Sequence, residues 1–137
     1  MSRPVAASRD AIVCVDDEPL VLHALQGALA RKLGPRFTIE LASNGAEAIE
    51  LIDELAREHT RLRLVVSDAI MPIMDGYALV EWLHEHRPEV LKIIITGYSH
   101  EGRINQLRQE AGLLACFPKP WKHEELLAFI EAALAEV

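Results

Sequence analysis

The stretch Leu64-Val65-Val66-Ser67-Asp68-Ala69-Ile70-Met71-Pro72-Ile73-Met74-Asp75-Gly76 runs from branched apolar residues into one carboxylate, Asp68, and then into a loop punctuated by Pro72 and Asp75-Gly76. Val65 and Val66 favour a buried strand, and the proline and Asp-Gly pair mark the turn that ends it before a helical pattern begins. A carboxylate delivered to the C-terminal end of a buried strand stands where open α/β sheets place their chemistry.

The same alternation extends in both directions. Upstream, the apolar run Ala11 to Val15 stops at Asp16-Asp17-Glu18-Pro19. A helix follows with Pro19 in its first turn, where the missing N–H costs little. Leu22, Leu25, Leu29 and Leu33 recur at helical spacing until Gly34-Pro35. A second strand over Phe37 to Ala42 leads through Ser43-Asn44-Gly45 to a helix with Ala48, Ile49, Ile52 and Leu55 on one face.

Downstream of Asp75, a natural N-cap, Leu79, Val80 and Leu83 face inward before Pro88. A strand over Leu91 to Ile95 ends in Thr96-Gly97, and a helix over His100 to Ala111 has only Ile104 and Leu107 as large apolar anchors. That thin stripe predicts shallow packing and mobility. A fifth strand over Leu113 to Phe117 meets Pro118-Lys119-Pro120-Trp121, and the last helix carries Leu126, Leu127, Ile130, Ala133 and Leu134. Five strands alternating with five helices predict a parallel sheet covered on both faces, the doubly wound α/β class.

The 137 residues are read as a short polar leader over residues 1–10 and one folded domain over residues 11–137, with no output domain in this chain. A formal charge of −7, from 14 basic and 21 acidic residues, argues against an autonomous nucleic-acid binder, which would cluster Lys and Arg on phosphates. No apolar run has secretory or transmembrane character. Cys14 and Cys116 both lie in apolar runs and read as small buried hydrophobes. A reducing, cytoplasmic setting is the expectation, with no membrane contact.

At the strand ends stand Asp16, Asp17, Asp68, Thr96 and Lys119. Singly, each acid reads as a favourable charge at a helix N-terminus or a loop cap. Jointly, with a hydroxyl and an ammonium at two further strand ends, that bland reading needs four independent coincidences. Crowded carboxylates call for a cation among them, and Mg²⁺, which takes few carboxylates and keeps several waters, is the economical solution. An Asp carboxylate is also a nucleophile toward phosphorus, and a lysine with a threonine hydroxyl can hold phosphoryl oxygens. His84 and His86, two apart on a helix, share no face for a metal.

The motifs Val15-Asp16-Asp17-Glu18-Pro19, Ser67-Asp68-Ala69-Ile70-Met71-Pro72-Ile73-Met74-Asp75-Gly76, Ile94-Ile95-Thr96-Gly97 and Phe117-Pro118-Lys119-Pro120-Trp121, in this order, resemble the receiver domain of bacterial two-component response regulators. The resemblance runs from about Ala11 to the C-terminus. It implies a flavodoxin-like (βα)5 fold with strand order 2-1-3-4-5 and phosphorylation on Asp68. It also implies Mg²⁺ held by Asp17, Asp68 and the backbone carbonyl of Ile70, with Asp16 acting through a metal-bound water. The Lys119-Pro120 bond is implied to be cis.

The same resemblance implies a histidine kinase or histidine phosphotransfer protein as donor. It implies a downstream protein or effector domain as target, and the fourth helix, fifth strand and fifth helix as output or homodimer surface. Members of that family carry an aromatic switch residue three positions before the lysine, where this chain has Cys116. Tyr98, two residues after Thr96, is the candidate substitute, so Thr96, Lys119, Tyr98 and Cys116 make up the catalytic and switch set. The alternatives are a receiver-like module acting by constitutive binding and a Mg-dependent phosphatase with an Asp nucleophile; the reading taken is a phosphoacceptor, not a turnover enzyme.

Overall fold

The computed structural model describes residues 10–98 and 100–135. The expected leader lies outside the described residues except for Asp10, which opens the first strand. Five strands, β1 (Asp10–Val15), β2 (Phe37–Ala42), β3 (Arg61–Ser67), β4 (Leu91–Thr96) and β5 (Ala115–Pro118), alternate with five helices. These are α1 (Pro19–Leu33), α2 (Gly45–Arg57), α3 (Gly76–His86), α4 (Glu101–Glu110) and α5 (His123–Ala135). The sheet is parallel, in the order β2-β1-β3-β4-β5, which is the flavodoxin-like arrangement.

β1, β4 and the end of β5 differ from the sequence reading by one residue each, and two strand starts differ by more. β3 begins at Arg61 rather than Leu64, because its first residues pair with Asp10 and Ala11 across a register shift at Ala11/Ile12. Arg63 is the residue this shift sets aside, and its guanidinium reaches the Asp10 carboxylate at 2.9 Å and the Leu134 carbonyl at 2.9 Å. β5 begins at Ala115 rather than Leu113, because the Leu113 N–H turns back to the Leu107 carbonyl of α4 at 3.1 Å. Gly112, with φ +68°, makes that reversal.

Period-two alternation sorts the strands between two layers. Ile12 and Cys14 of β1, with Leu64, Val66, Ile93 and Ile95, pack against Leu25 and Leu29 of α1 and Leu126 and Ile130 of α5. Ala11, Val13 and Val15, with Val65, pack against Ile52 of α2 and Leu79 and Leu83 of α3. A smaller cluster joins Tyr77 and Val80 of α3 to Ile94, Ile104, Leu107 and Leu113, with Cys116 against it. Among the described residues no helix is long and apolar enough to cross a membrane.

Candidate functional site

Strand ends become a site because the sheet pairing carries the acids to one edge. The Asp68 N–H donates to the Val15 carbonyl at 2.9 Å and the Asp16 N–H to the Ala42 carbonyl at 3.1 Å, so β1, β2 and β3 stop in step. The chain then leaves strand geometry at once: the Glu18 N–H turns back onto Asp16 Oδ1 at 2.9 Å, and Pro19 opens α1. That turn lets two adjacent acids serve one pocket, whereas a continued strand would point them to opposite faces.

Asp16 and Asp68 are buried, while Asp17 is exposed. A carboxylate oxygen from each of Asp16, Asp17 and Asp68 lies within 4.8 Å of the others. Lys119 crosses from β5 into this group, with Nζ 2.7 Å from Asp16 Oδ2, 3.0 Å from Asp68 Oδ2 and 3.7 Å from Glu18 Oε1. The Lys119-Pro120 bond that presents it is cis.

Burial pushes the Asp16 carboxyl above its ordinary range, and the hydrogen bonds from Lys119 and from the Glu18 N–H only partly offset this. Burial alone would lower Lys119, but its bonds to Asp16 and Asp68 outweigh that, and the ammonium is held above its ordinary value. Four carboxylates, those of Asp16, Asp17, Asp68 and the more distant Glu18, surround one ammonium. The excess negative charge and the all-oxygen donor set suit a hard divalent cation, which is the chemistry of Mg²⁺.

The loop after Asp68 is fixed by its own backbone. Asp68 Oδ1 accepts from the Ala69 N–H at 2.7 Å, Ser67 Oγ donates to the Asp68 carbonyl at 2.8 Å, and the Gly76 N–H donates to the Ala69 carbonyl at 2.8 Å. A Cβ on Gly76 would collide with the Asp68 carbonyl oxygen, so glycine is the residue that lets α3 start here. Ile73 takes φ +69°, uncommon for a β-branched residue, and its side chain is exposed. Ile70 lies two residues beyond Asp68 in the same loop, with a half-exposed side chain.

Thr96 is buried at the end of β4, and the Lys119 N–H donates to its carbonyl at 3.1 Å. Its Oγ1 accepts from the Tyr98 N–H at 3.1 Å. The Tyr98 side chain is 61% exposed, so the structure links it to Thr96 through backbone and leaves its ring outside the pocket. Cys116 faces the α3–α4 cluster while Phe117, next along, faces the α1–α5 core. Thr96, Ile104, Arg108, Cys116 and Lys119 line a groove of about 540 Å³ between α4 and β5.

The sequence reading missed Tyr77. It is buried beside Cys116 with its hydroxyl unpartnered among the described residues, and burial first, then the nearby Cys116 and Asp75, push that hydroxyl up from its ordinary value. The signal was present, since Tyr77 lies three residues before Val80 on the same helical face.

The sequence pattern described as the response regulator receiver domain matches residues 12–131. The sensor kinase CckA of Brucella abortus (strain 2308) is 30% identical over 123 residues, covering 90% of this chain and 12% of that protein. The DNA-binding transcriptional regulator NtrC of Escherichia coli (strain K12) is 30% identical over 128 residues, covering 93% of this chain and 25% of that protein. This chain therefore spans a quarter or less of the length of these two relatives. Among solved structures, the signal receiver domain of an HD domain-containing protein from Pseudomonas fluorescens Pf-5 aligns with TM-score 0.82 and 28% identity over 93% of this chain and 96% of that one. A CheY-like response regulator receiver domain protein from Methanospirillum hungatei JF-1 aligns with TM-score 0.80 and 29% identity over 94% and 96%. With the matching fold and the acids gathered at its strand ends, the chain belongs to the response regulator receiver domain family.

Proposed function

We propose that Asp68 accepts a phosphoryl group from a phosphohistidine on a kinase or histidine phosphotransfer protein. The observation that carries this reading is the Lys119 ammonium bridging Asp16 and Asp68 in a buried pocket at the sheet's carboxyl edge. An Asp68 oxygen forms the new bond to phosphorus as the phosphorus–nitrogen bond breaks, and the imidazole keeps the electron pair and takes up a proton. Asp17, Asp68 and the Ile70 carbonyl would hold Mg²⁺, with Asp16 contributing through water; the ion would neutralise the phosphoryl oxygens. Lys119 holds one phosphoryl oxygen, and the Thr96 hydroxyl turns to hold another.

Turning Thr96 releases its bond to the Tyr98 N–H, so the β4–α4 loop and α4 register the phosphoryl group. The altered face of α4, β5 and α5 then meets a downstream protein, an effector domain or a second copy. The domain acts as a phosphoacceptor switch and not as a turnover enzyme.

Incubation with acetyl phosphate and Mg²⁺, followed by intact-mass measurement, tests the acceptor. One labile phosphate is expected on the wild type and none on Asp68→Asn or when Mg²⁺ is chelated. An unlabelled wild type overturns the acceptor role in favour of a constitutive binding module, and sustained hydrolysis of phosphate esters points to an enzyme. Unchanged amide shifts over residues 97–112 on phosphorylation overturn the Thr96–Tyr98 route.

A further inference from the structure

The helix that should move is poorly anchored by apolar contact. α4 buries only Ile104 and Leu107, and the open groove lined by Cys116 and Arg108 separates part of it from β5. Polar contacts to α3 supplement those two anchors, and Arg103 carries these contacts. The Arg103 guanidinium lies 5.5 Å from the centroid of the Tyr77 ring, reaches both Glu81 oxygens at 3.0 and 3.2 Å, and reaches Gln106 Oε1 at 2.8 Å. Tyr77 and Glu81 both stand on α3, four residues apart on one face.

We propose that Tyr77, Glu81 and Arg103 form a clamp that sets the resting position of α4, with Tyr77 serving as the switch aromatic from α3 because β5 presents only Cys116. This inference rests on the phosphoacceptor reading. An exposed ion pair alone would contribute little, and both ends here are partly exposed. The clamp differs from a lone pair in two respects: the contact to Glu81 is a two-pronged fork, and the same cation lies over the face of an aromatic ring. A lysine would not reproduce the fork.

The Tyr77 hydroxyl is the second observation. It is buried without a partner among the described residues, a cost that phenylalanine would avoid. A group that is costly in one arrangement and paired in another biases a two-state element toward the second. Tyr98, which follows the end of β4 and whose N–H is bonded to Thr96 Oγ1, is among the groups that act on the Tyr77 hydroxyl, so on this proposal its segment supplies the partner when Thr96 turns. Tyr77 is thus a positioning residue: its ring holds α4 at rest and its hydroxyl favours release.

Amide hydrogen exchange over residues 101–110, with and without acetyl phosphate and Mg²⁺, separates the two roles. Arg103→Gln is expected to raise resting exchange about fivefold or more, toward the phosphorylated wild-type value, while still taking phosphate on Asp68 by intact mass. Glu81→Gln, which leaves the buried ring untouched, should move resting exchange the same way. Tyr77→Phe keeps the ring and removes the unpaired hydroxyl, so its resting exchange should be at or below the wild-type value, while its phosphorylation-dependent change falls about fivefold. Resting exchange unchanged in Arg103→Gln and Glu81→Gln overturns the clamp. A phosphorylated Tyr77→Phe that matches phosphorylated wild type overturns Tyr77 as the switch aromatic. If the wild type takes no phosphate, the acceptor reading fails, and the resting-state arm still decides the clamp.

Discussion

The β1–β3 edge of the sheet and the β4–α4–β5 quarter are built on opposite terms. At the first, strands whose apolar residues are sealed on both faces deliver Asp16 and Asp68, and the following loop is pinned by backbone bonds and by a glycine with no room for a methyl group. At the second, α4 buries two large side chains, borders an open groove and leans on a polar contact to α3. A site that must present charged oxygens at fixed spacing needs over-determined packing, because small displacements cost binding and rate. A segment that must respond to one added phosphoryl group needs few contacts to break.

The sharpest way to break this contrast is to disturb the rigid edge. Gly76→Ala is expected to destabilise the domain by about 3 kcal/mol, the upper end for a side chain forced into a filled space. Urea unfolding measures it. A loss well under 1 kcal/mol would mean that the Asp68–Gly76 loop can shift, and the acid spacing would then owe less to packing than the contrast requires.

The same contrast explains what could be read from the chain. The acids were legible because each follows an uninterrupted apolar run, so that a strand end and a charge coincide at Val15-Asp16 and Ser67-Asp68. Strand order is a property of crossovers between distant segments and came through family resemblance rather than periodicity. The start of β3 was less legible than its end: Arg61-Leu62-Arg63 alternates charge with a single leucine, a weaker signal than the continuous run from Leu64, and pairing with β1 across a register shift fixes it. Tyr77 was not legible as a switch aromatic because spacing from Lys119 and Thr96 points to Cys116 and Tyr98, whereas the space beside Cys116 is filled from α3, across the fold. Where packing dictates position, the residues state it; where a few polar contacts do, only the assembled structure shows them.

The two cysteines carry the contrast to the level of single side chains. Cys14 is fully buried in β1, and burial pushes its thiol up to about 12; Cys116 is half-buried at the groove. Cys14→Phe should therefore cost about 2–3 kcal/mol by overpacking. Cys116→Phe should cost less than about 1 kcal/mol, because its ring can enter the groove. At pH 8 an alkylating reagent should label Cys116 and spare Cys14 in the folded domain. Equal stability losses, or a Cys116 that resists the reagent as Cys14 does, would show that the groove is closed in solution.

The smallest expected effect tests whether α4 opens separately from the rest of the domain. Asn44 caps α2 by accepting from the Glu47 N–H at 2.9 Å, while Glu47 in turn accepts from the Ser43 hydroxyl at 2.8 Å. His100 caps α4 through a ring nitrogen that accepts from the Arg103 N–H at 3.1 Å, in an exposed position. Asn44→Ala should lower global stability by about 1 kcal/mol, as loss of a good N-cap does. If α4 opens locally, His100→Ala should instead leave the global urea midpoint nearly unchanged and speed amide exchange in α4 alone. Global losses of the same size for both variants would mean that α4 comes apart only with the whole domain, and a helix so coupled could not report a single phosphoryl group by local release.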